Sequence, residues 1–131
     1  MSDFQQEVKD RLAANARDER LKSDAAAFMR SSIAGQYSYN FSWLGRPIIQ
    51  YPQDMVAMQE LIWSIQPDLI IETGIAHGGS LILSASLLEL IGGEGKVLGI
   101  DIDIRAHNRK EIEAHPMMKR IEMIEGSSVA D

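Results

Sequence analysis

One stretch limits what this chain can fold into. Leu69-Ile70-Ile71, a short apolar run, leads directly into Glu72-Thr73-Gly74-Ile75-Ala76-His77-Gly78-Gly79-Ser80, and a helical pattern then runs from Ser80 to Ile91. A strand that turns on glycines straight into a helix is the opening of a βαβ unit. Gly92 and Gly93 stop the helix, because glycine readily takes the backbone that ends one. The rhythm continues with a second strand at Val97–Ile102, a short polar helix at Asn108–Ala114 closed by Pro116, and a third strand at Ile121–Ile124. Strands alternating with helices predict an α/β domain with a parallel sheet and right-handed crossovers.

The segments before Asp68 follow a different logic. Ser2 to about Ser32 has Phe4, Val8, Leu12, Leu21, Ala25 and Phe28 at three-and-four spacing among charges, which predicts an amphipathic helical arm. Ser2 and Gln5 match a capping box. The charged middle, Asn15–Arg20, allows either one arm or two shorter helices, and such an arm can pack on a second subunit. Ile33–Pro52 breaks the helical pattern with Gly35, Gly45, Pro47 and Pro52 and gathers Tyr37, Tyr39, Phe41, Trp43 and Tyr51. That reads as an aromatic-rich loop, which either covers a ligand pocket or plugs the surface of the domain that follows. Gln53–Ile65 returns to helical spacing with Met55, Met58, Ile62 and Ile65 on one stripe, and Pro67 follows it. The expected organisation is therefore an arm with its aromatic loop over 1–52 and the amino-terminal half of a cofactor-binding α/β domain over 53–131.

Composition narrows the partners. The net charge of −6, from 13 Lys and Arg against 19 Asp and Glu, offers no basic surface for a phosphate backbone, so nucleic acid is not expected as a ligand. No cysteine is present, which removes disulfides and thiolate chemistry and suits a cytoplasmic setting. Met1–Asp10 lacks the basic start and apolar run of a signal peptide, and no apolar stretch is long enough for a membrane span.

In an open parallel sheet, ligands sit beyond the carboxyl ends of the strands, where the first glycine loop faces the crevice. A dinucleotide site requires G-x-G-x-x-G so that a pyrophosphate can rest on the helix start. Here Gly74 and Gly78 are four apart, and Glu72 places a carboxylate beside the loop. That arrangement suits a ligand carrying an ammonium group, as S-adenosylmethionine does, with Glu72 meeting its amino-acid end directly or through water. Asp101, 29 residues after Glu72 at the end of the second strand, can accept hydrogen bonds from ribose hydroxyls, and Asp103 is a second acid with the same parity. Glu125-Gly126-Ser127-Ser128 follows the third strand at the same sheet edge, either as a plain turn or as small residues against an adenine ring.

These residues carry a resemblance. Trp43-Leu44-Gly45-Arg46-Pro47 and Gln50-Tyr51-Pro52-Gln53-Asp54, together with Glu72-Thr73-Gly74, Gly78-Gly79-Ser80, Asp101-Ile102-Asp103 and Gly126-Ser127-Ser128, resemble the cephalosporin hydroxylase and rhamnosyl O-methyltransferase family over about Tyr39–Asp131. The resemblance implies a Rossmann-like fold that binds S-adenosylmethionine. It implies that Glu72, Gly74 and Gly78, with Ser80 opening the helix, form the cofactor loop, that Asp101 holds the ribose, and that Ser128 approaches the adenine. It also implies an O-methyltransferase acting on a small-molecule hydroxyl, on a sugar, glycolipid or secondary metabolite. Members of the family carry an Asp and a later Glu-Asp pair on further strands, and these bind a divalent metal such as Mg. Those positions fall beyond Asp131, so no metal ligand is expected here, and the fold is expected to be cut after its third strand.

His77, His107 and His115 lack the spacing of helical metal ligands, and His77 is either a plain loop residue or a base; the catalytic residue stays unassigned. Two other classes remain open. Asp101-Ile102-Asp103 could be the metal-binding Asp-x-Asp of a nucleotide-sugar glycosyltransferase, which would leave the glycine loop unexplained. Alternatively the chain could bind a ligand or partner without catalysis, self-associating through its helical arm.

Overall fold

The computed structural model describes residues 2–129 and divides the chain into two compact units, Met1–Tyr37 and Ser38–Asp131. The first unit is helical. Helix α1 (Asp3–Asn15) starts at Ser2, whose hydroxyl accepts the Gln5 amide while the Gln5 side chain accepts the Ser2 amide, so the capping box is formed. Asp18 caps a second helix, α2 (Glu19–Ala34), so the charged middle of the arm is a break between two helices. Phe28 and Tyr37 meet edge to face with ring centroids 5.5 Å apart. No residue of α1 is buried, and Phe4 and Leu12 are largely exposed.

The second unit holds the sheet. After a 3₁₀ turn at Tyr37–Tyr39, the stretch expected to be a loop forms an antiparallel hairpin of β1 (Phe41–Trp43) and β2 (Arg46–Ile48). Leu44 and Gly45 both have positive φ, 45° and 86°, as a two-residue type I′ turn demands. Leucine is rare in that backbone, which is why the turn gives no sequence signal. The hairpin belongs to the unit that carries the sheet. Helix α3 (Pro52–Ile65) follows, with proline in its first turn and Gln66 ending it in the left-handed region.

Strands β3 (Leu69–Thr73), β4 (Lys96–Asp101) and β5 (Ile121–Glu125) then form a parallel sheet with β4 at its centre. They are joined by α4 (Gly79–Ile91), and by α5 (Ala106–Glu113) with a 3₁₀ helix at Pro116–Arg120. The α/β class and the parallel sheet match the sequence expectation, with each strand extended or shifted by a residue or two.

Helix α4 is the core element. Eight of its residues are buried, including Leu81, Ile82, Ala85 and Leu88, because it is enclosed by the sheet, α3 and the hairpin. Its polar side chains are satisfied: Ser86 donates to the Leu83 carbonyl and accepts the Trp43 indole N–H at 2.9 Å. The strand alternation turns Val97 and Ile121 into the core, while Leu69, Ile71 and Ile124, of opposite parity, stay about half exposed. At the end of the sheet where the strands begin, Arg120 ties β5 to the β4 approach by donating to the Gly93 and Gly95 carbonyls and pairing with Glu89.

Gly79, the first residue of α4, sits directly on the hairpin. A Cβ there would overlap the Pro47 carbonyl and come within 2.6 Å of the Ile48 Cβ. Gly79→Ala is therefore expected to lower unfolding stability by about 1–3 kcal/mol, the range for overpacking a close contact. Urea titration measures this, and an unchanged midpoint would show that the hairpin does not press on α4.

Candidate functional site

The carboxyl ends of β3 and β4 lie side by side and are stitched together by backbone and side chain. The Gly74 amide donates to the Ile100 carbonyl at 2.8 Å, and the Gly126 amide donates to the Asp101 carbonyl at 2.8 Å. The Asp101 carboxylate accepts the Ile75 amide at 2.7 Å through Oδ2 and the Asp103 amide at 3.2 Å through Oδ1. These two amides, Ile75 foremost, hold the Asp101 carboxyl below the usual carboxylate range, outweighing the effect of its partial burial. Asp101 thus aims the glycine loop, and each of its oxygens retains a lone pair for a ligand hydroxyl.

Three clefts meet at this edge. One, of about 300 Å³, is lined by Ala76, His77, Asp101, Asp103, Arg105 and Asn108. A second, of about 240 Å³, runs from Gly74 and Asp101 to Gly126, Ser127 and Ser128. A third, of about 140 Å³, lies between the hairpin residues Pro47–Ile49 and the loop Gly74–His77, reaching Ser80. Gly74, at φ 85°, borders the second and third clefts, and a Cβ added there would meet no atom within 4 Å. Its missing side chain leaves open space where the two clefts adjoin.

The expected site residues separate into two groups. Gly74, Asp101, Asp103 and Ser128 line the clefts. Glu72, by contrast, has both carboxylate oxygens engaged by helix α4: Ser80 Oγ donates to one at 2.8 Å and Ser84 Oγ to the other at 2.7 Å. In this geometry Glu72 fastens the strand to the helix. Ser80 spends its hydroxyl on the same bond while lining the smallest cleft. Gly78, at φ 86°, caps α4, and a Cβ there would collide with Ile112, so it is required for packing. Asp103 lies past the end of β4, so strand parity does not govern its side chain.

Sequence reading missed Arg46 and Asn108. Arg46 reaches from β2 to the His77 carbonyl, and Asn108 reaches from α5 to the Ala76 carbonyl. Arg46 stands in the Trp43–Pro47 stretch that carries the resemblance but had no role there, and Asn108 carries no motif; only the fold brings them to the loop. Among the described residues, no three His, Asp or Glu side chains cluster as metal ligands would.

Asp101 makes stability depend on pH with a defined sign. Its folded pKa lies below the unfolded value of about 3.9, so its stabilising contribution is complete above pH 4 and fades as pH falls towards the folded pKa. Asp101→Asn is expected to cost about 1–3 kcal/mol at neutral pH, the range for losing hydrogen bonds to a charged group. The gap to the parent should stay level from about pH 5 to 8 and narrow below about pH 4. Urea unfolding of both proteins across this range checks it; a gap that widens in acid would contradict the assignment.

Comparison with known proteins bears on the family and the fold. The family model described as rhamnosyl O-methyltransferase/CmcI matches residues 35–131. The rhamnosyl O-methyltransferase of Mycobacterium leprae (strain TN) is 31% identical over 97 residues, covering 73% of this chain and 40% of that protein. The protein of the same name from Mycobacterium tuberculosis (strain ATCC 25618 / H37Rv) is 36% identical over 64 residues, covering 45% of this chain and 26% of that one. Among solved structures, CmcI described as the D160 form with Mg and SAM superposes with a TM-score of 0.57 at 25% identity, covering 70% of this chain and 38% of that one. CmcI described as the N160 form with SAH gives 0.54 at 26% identity, covering 66% and 43%. This chain thus spans about two fifths or less of the length of the curated relatives it matches. With most of its length matched by the family model and its α/β core superposing on solved members, the chain belongs to the rhamnosyl O-methyltransferase/CmcI family.

Proposed function

We propose that this chain carries the cofactor-binding part of an S-adenosylmethionine-dependent O-methyltransferase whose acceptor is a hydroxyl on a sugar, glycolipid or secondary metabolite. The observation that carries the reading is Gly74. Its open Cβ position lies where two clefts adjoin, with Asp101 and Asp103 on one side and the start of α4 on the other, a cradle for a ligand with a diol at one end and an amino acid at the other. The naming of relatives as rhamnosyl O-methyltransferases, and of solved neighbours by SAM and SAH, supports both the cofactor and the chemistry.

When bound, the cofactor supplies a methyl group already activated on a sulfonium. The protein then has to bind, orient and exclude water. Asp101 and Asp103 accept the ribose hydroxyls, and Ser127 and Ser128 border the cleft that suits the base. The Gly74–His77 loop and the start of α4 receive the amino-acid end, where first-turn amides favour a carboxylate. Glu72 holds that helix to β3 through Ser80 and Ser84. The described residues include no cluster suited to Mg, so no step is assigned to a metal.

Self-association through the arm belongs to the same proposal, supported by the exposed apolar side chains of Phe4 and Leu12 on α1 and of Leu21 and Phe28 on α2. A cytoplasmic setting is compatible with the cysteine-free composition. Among the described residues, no helix is long and apolar enough to cross a membrane.

Isothermal titration with S-adenosylmethionine tests the reading. The parent should bind, Asp101→Ala and Asp103→Ala should each weaken binding about tenfold, and Gly74→Val should weaken it further by filling the cradle. Circular dichroism confirms that each variant is folded. Binding unchanged in all three would refute the site.

A further inference from the structure

Two residues outside the glycine loop hold its carbonyls in place. Asn108 is almost fully buried, and its Nδ2 donates to the Ala76 carbonyl at 3.0 Å. Its Oδ1 accepts Nη2 of Arg46 at 3.1 Å, which identifies the amide orientation as one that satisfies both ends. Arg46 in turn donates from Nε at 3.0 Å and Nη2 at 2.9 Å to a single acceptor, the His77 carbonyl. The guanidinium therefore spans the hairpin, the loop and α5, and among the described residues it forms no ion pair.

The loop needs such support. Ala76 is held at φ 48°, in the left-handed region that a residue with a Cβ disfavours. Nothing in its own side chain stabilises that backbone, but its carbonyl is the acceptor for Asn108. Because a trans peptide sets its carbonyl and the next amide in opposite directions, fixing the Ala76 carbonyl on Asn108 also directs the His77 amide away from α5. Ala76 and His77 line both the cleft that holds Asp101 and the cleft beneath the hairpin.

We propose that Arg46 and Asn108 act together as positioning residues, a clamp that keeps the Ala76–His77 backbone in its ligand-ready conformation and makes the hairpin part of the cofactor site. The claim that the clamp serves the cofactor rests on the reading above; the claim that it orders the loop does not. Asn108 also borders the Asp101 cleft, but its side-chain amide is bonded to Arg46 and to the Ala76 carbonyl. The effect of the two residues passes through two carbonyl groups.

The test combines amide hydrogen exchange on the ligand-free protein with S-adenosylmethionine titration, for Arg46→Lys and Asn108→Ala. Arg46→Lys keeps the charge but cannot present the two-nitrogen fork, so it probes the clamp even where Asn108→Ala folds poorly. Exchange at the Ala76–Gly79 amides should rise about tenfold while β4 amides stay protected, and affinity should fall about tenfold. In an Ala76→Gly background, where the left-handed backbone costs little, the affinity loss from Asn108→Ala should shrink to about threefold or less. Unchanged loop exchange in a folded variant overturns the clamp. Faster loop exchange with unchanged affinity, or an equal loss in both backgrounds, overturns its positioning role. A parent that binds no S-adenosylmethionine refutes the cofactor reading instead, and the exchange data then decide the clamp alone.

Discussion

At the carboxyl end of the sheet, one carboxylate does the work of several loop contacts. Asp101 is the last residue of the central strand, and it reaches sideways to accept the Ile75 amide at the point where the chain leaves β3. With the Gly74 amide already bonded to the Ile100 carbonyl, the loop has two fixed points on β4 before it turns into α4. A carboxylate accepting backbone amides is stabilised in its charged form, so the same bonds that set the loop keep the acid ionised. The clefts open around this junction because its backbone is held and its nearest side chain, at Gly74, is absent.

The hairpin completes the arrangement from the other side. Gly79 lets β2 lie against the first turn of α4, Trp43 bonds into the body of that helix, and His115 bonds to the Leu44 carbonyl at the turn. Each contact joins segments far apart in sequence, so the hairpin's position depends on the folded α/β unit. The loop is consequently enclosed between elements that precede and follow it. Such enclosure lowers the entropic cost of binding, because little must be ordered when a ligand arrives.

Much of the fold was legible because its signals are local. Apolar runs of strand length, glycines at helix ends and prolines at boundaries marked β3, α4, β4 and β5 to within two residues. Asp101 was legible as a candidate because it ends a strand beside a glycine loop; that its carboxylate also holds the loop's amides was not. What escaped was tertiary. The I′ turn hides behind Leu44, whose type predicts no positive φ. Glu72 looked available to a ligand because the serines that bind it lie one and two turns into the next helix. Gly78 and Gly74 looked equivalent, yet one faces Ile112 and the other faces open space.

In the proposed arrangement the cofactor lies across Gly74, with its sugar at the end of β4 and its amino-acid end under the hairpin. A crystal structure of the protein with S-adenosylhomocysteine tests this most directly. Ribose hydroxyls are expected within hydrogen-bond distance of Asp101 or Asp103, and the homocysteine group against the Gly74–His77 backbone. Ligand bound elsewhere, for instance among Glu94, Lys96 and Lys119 at the opposite end of the sheet, would contradict it.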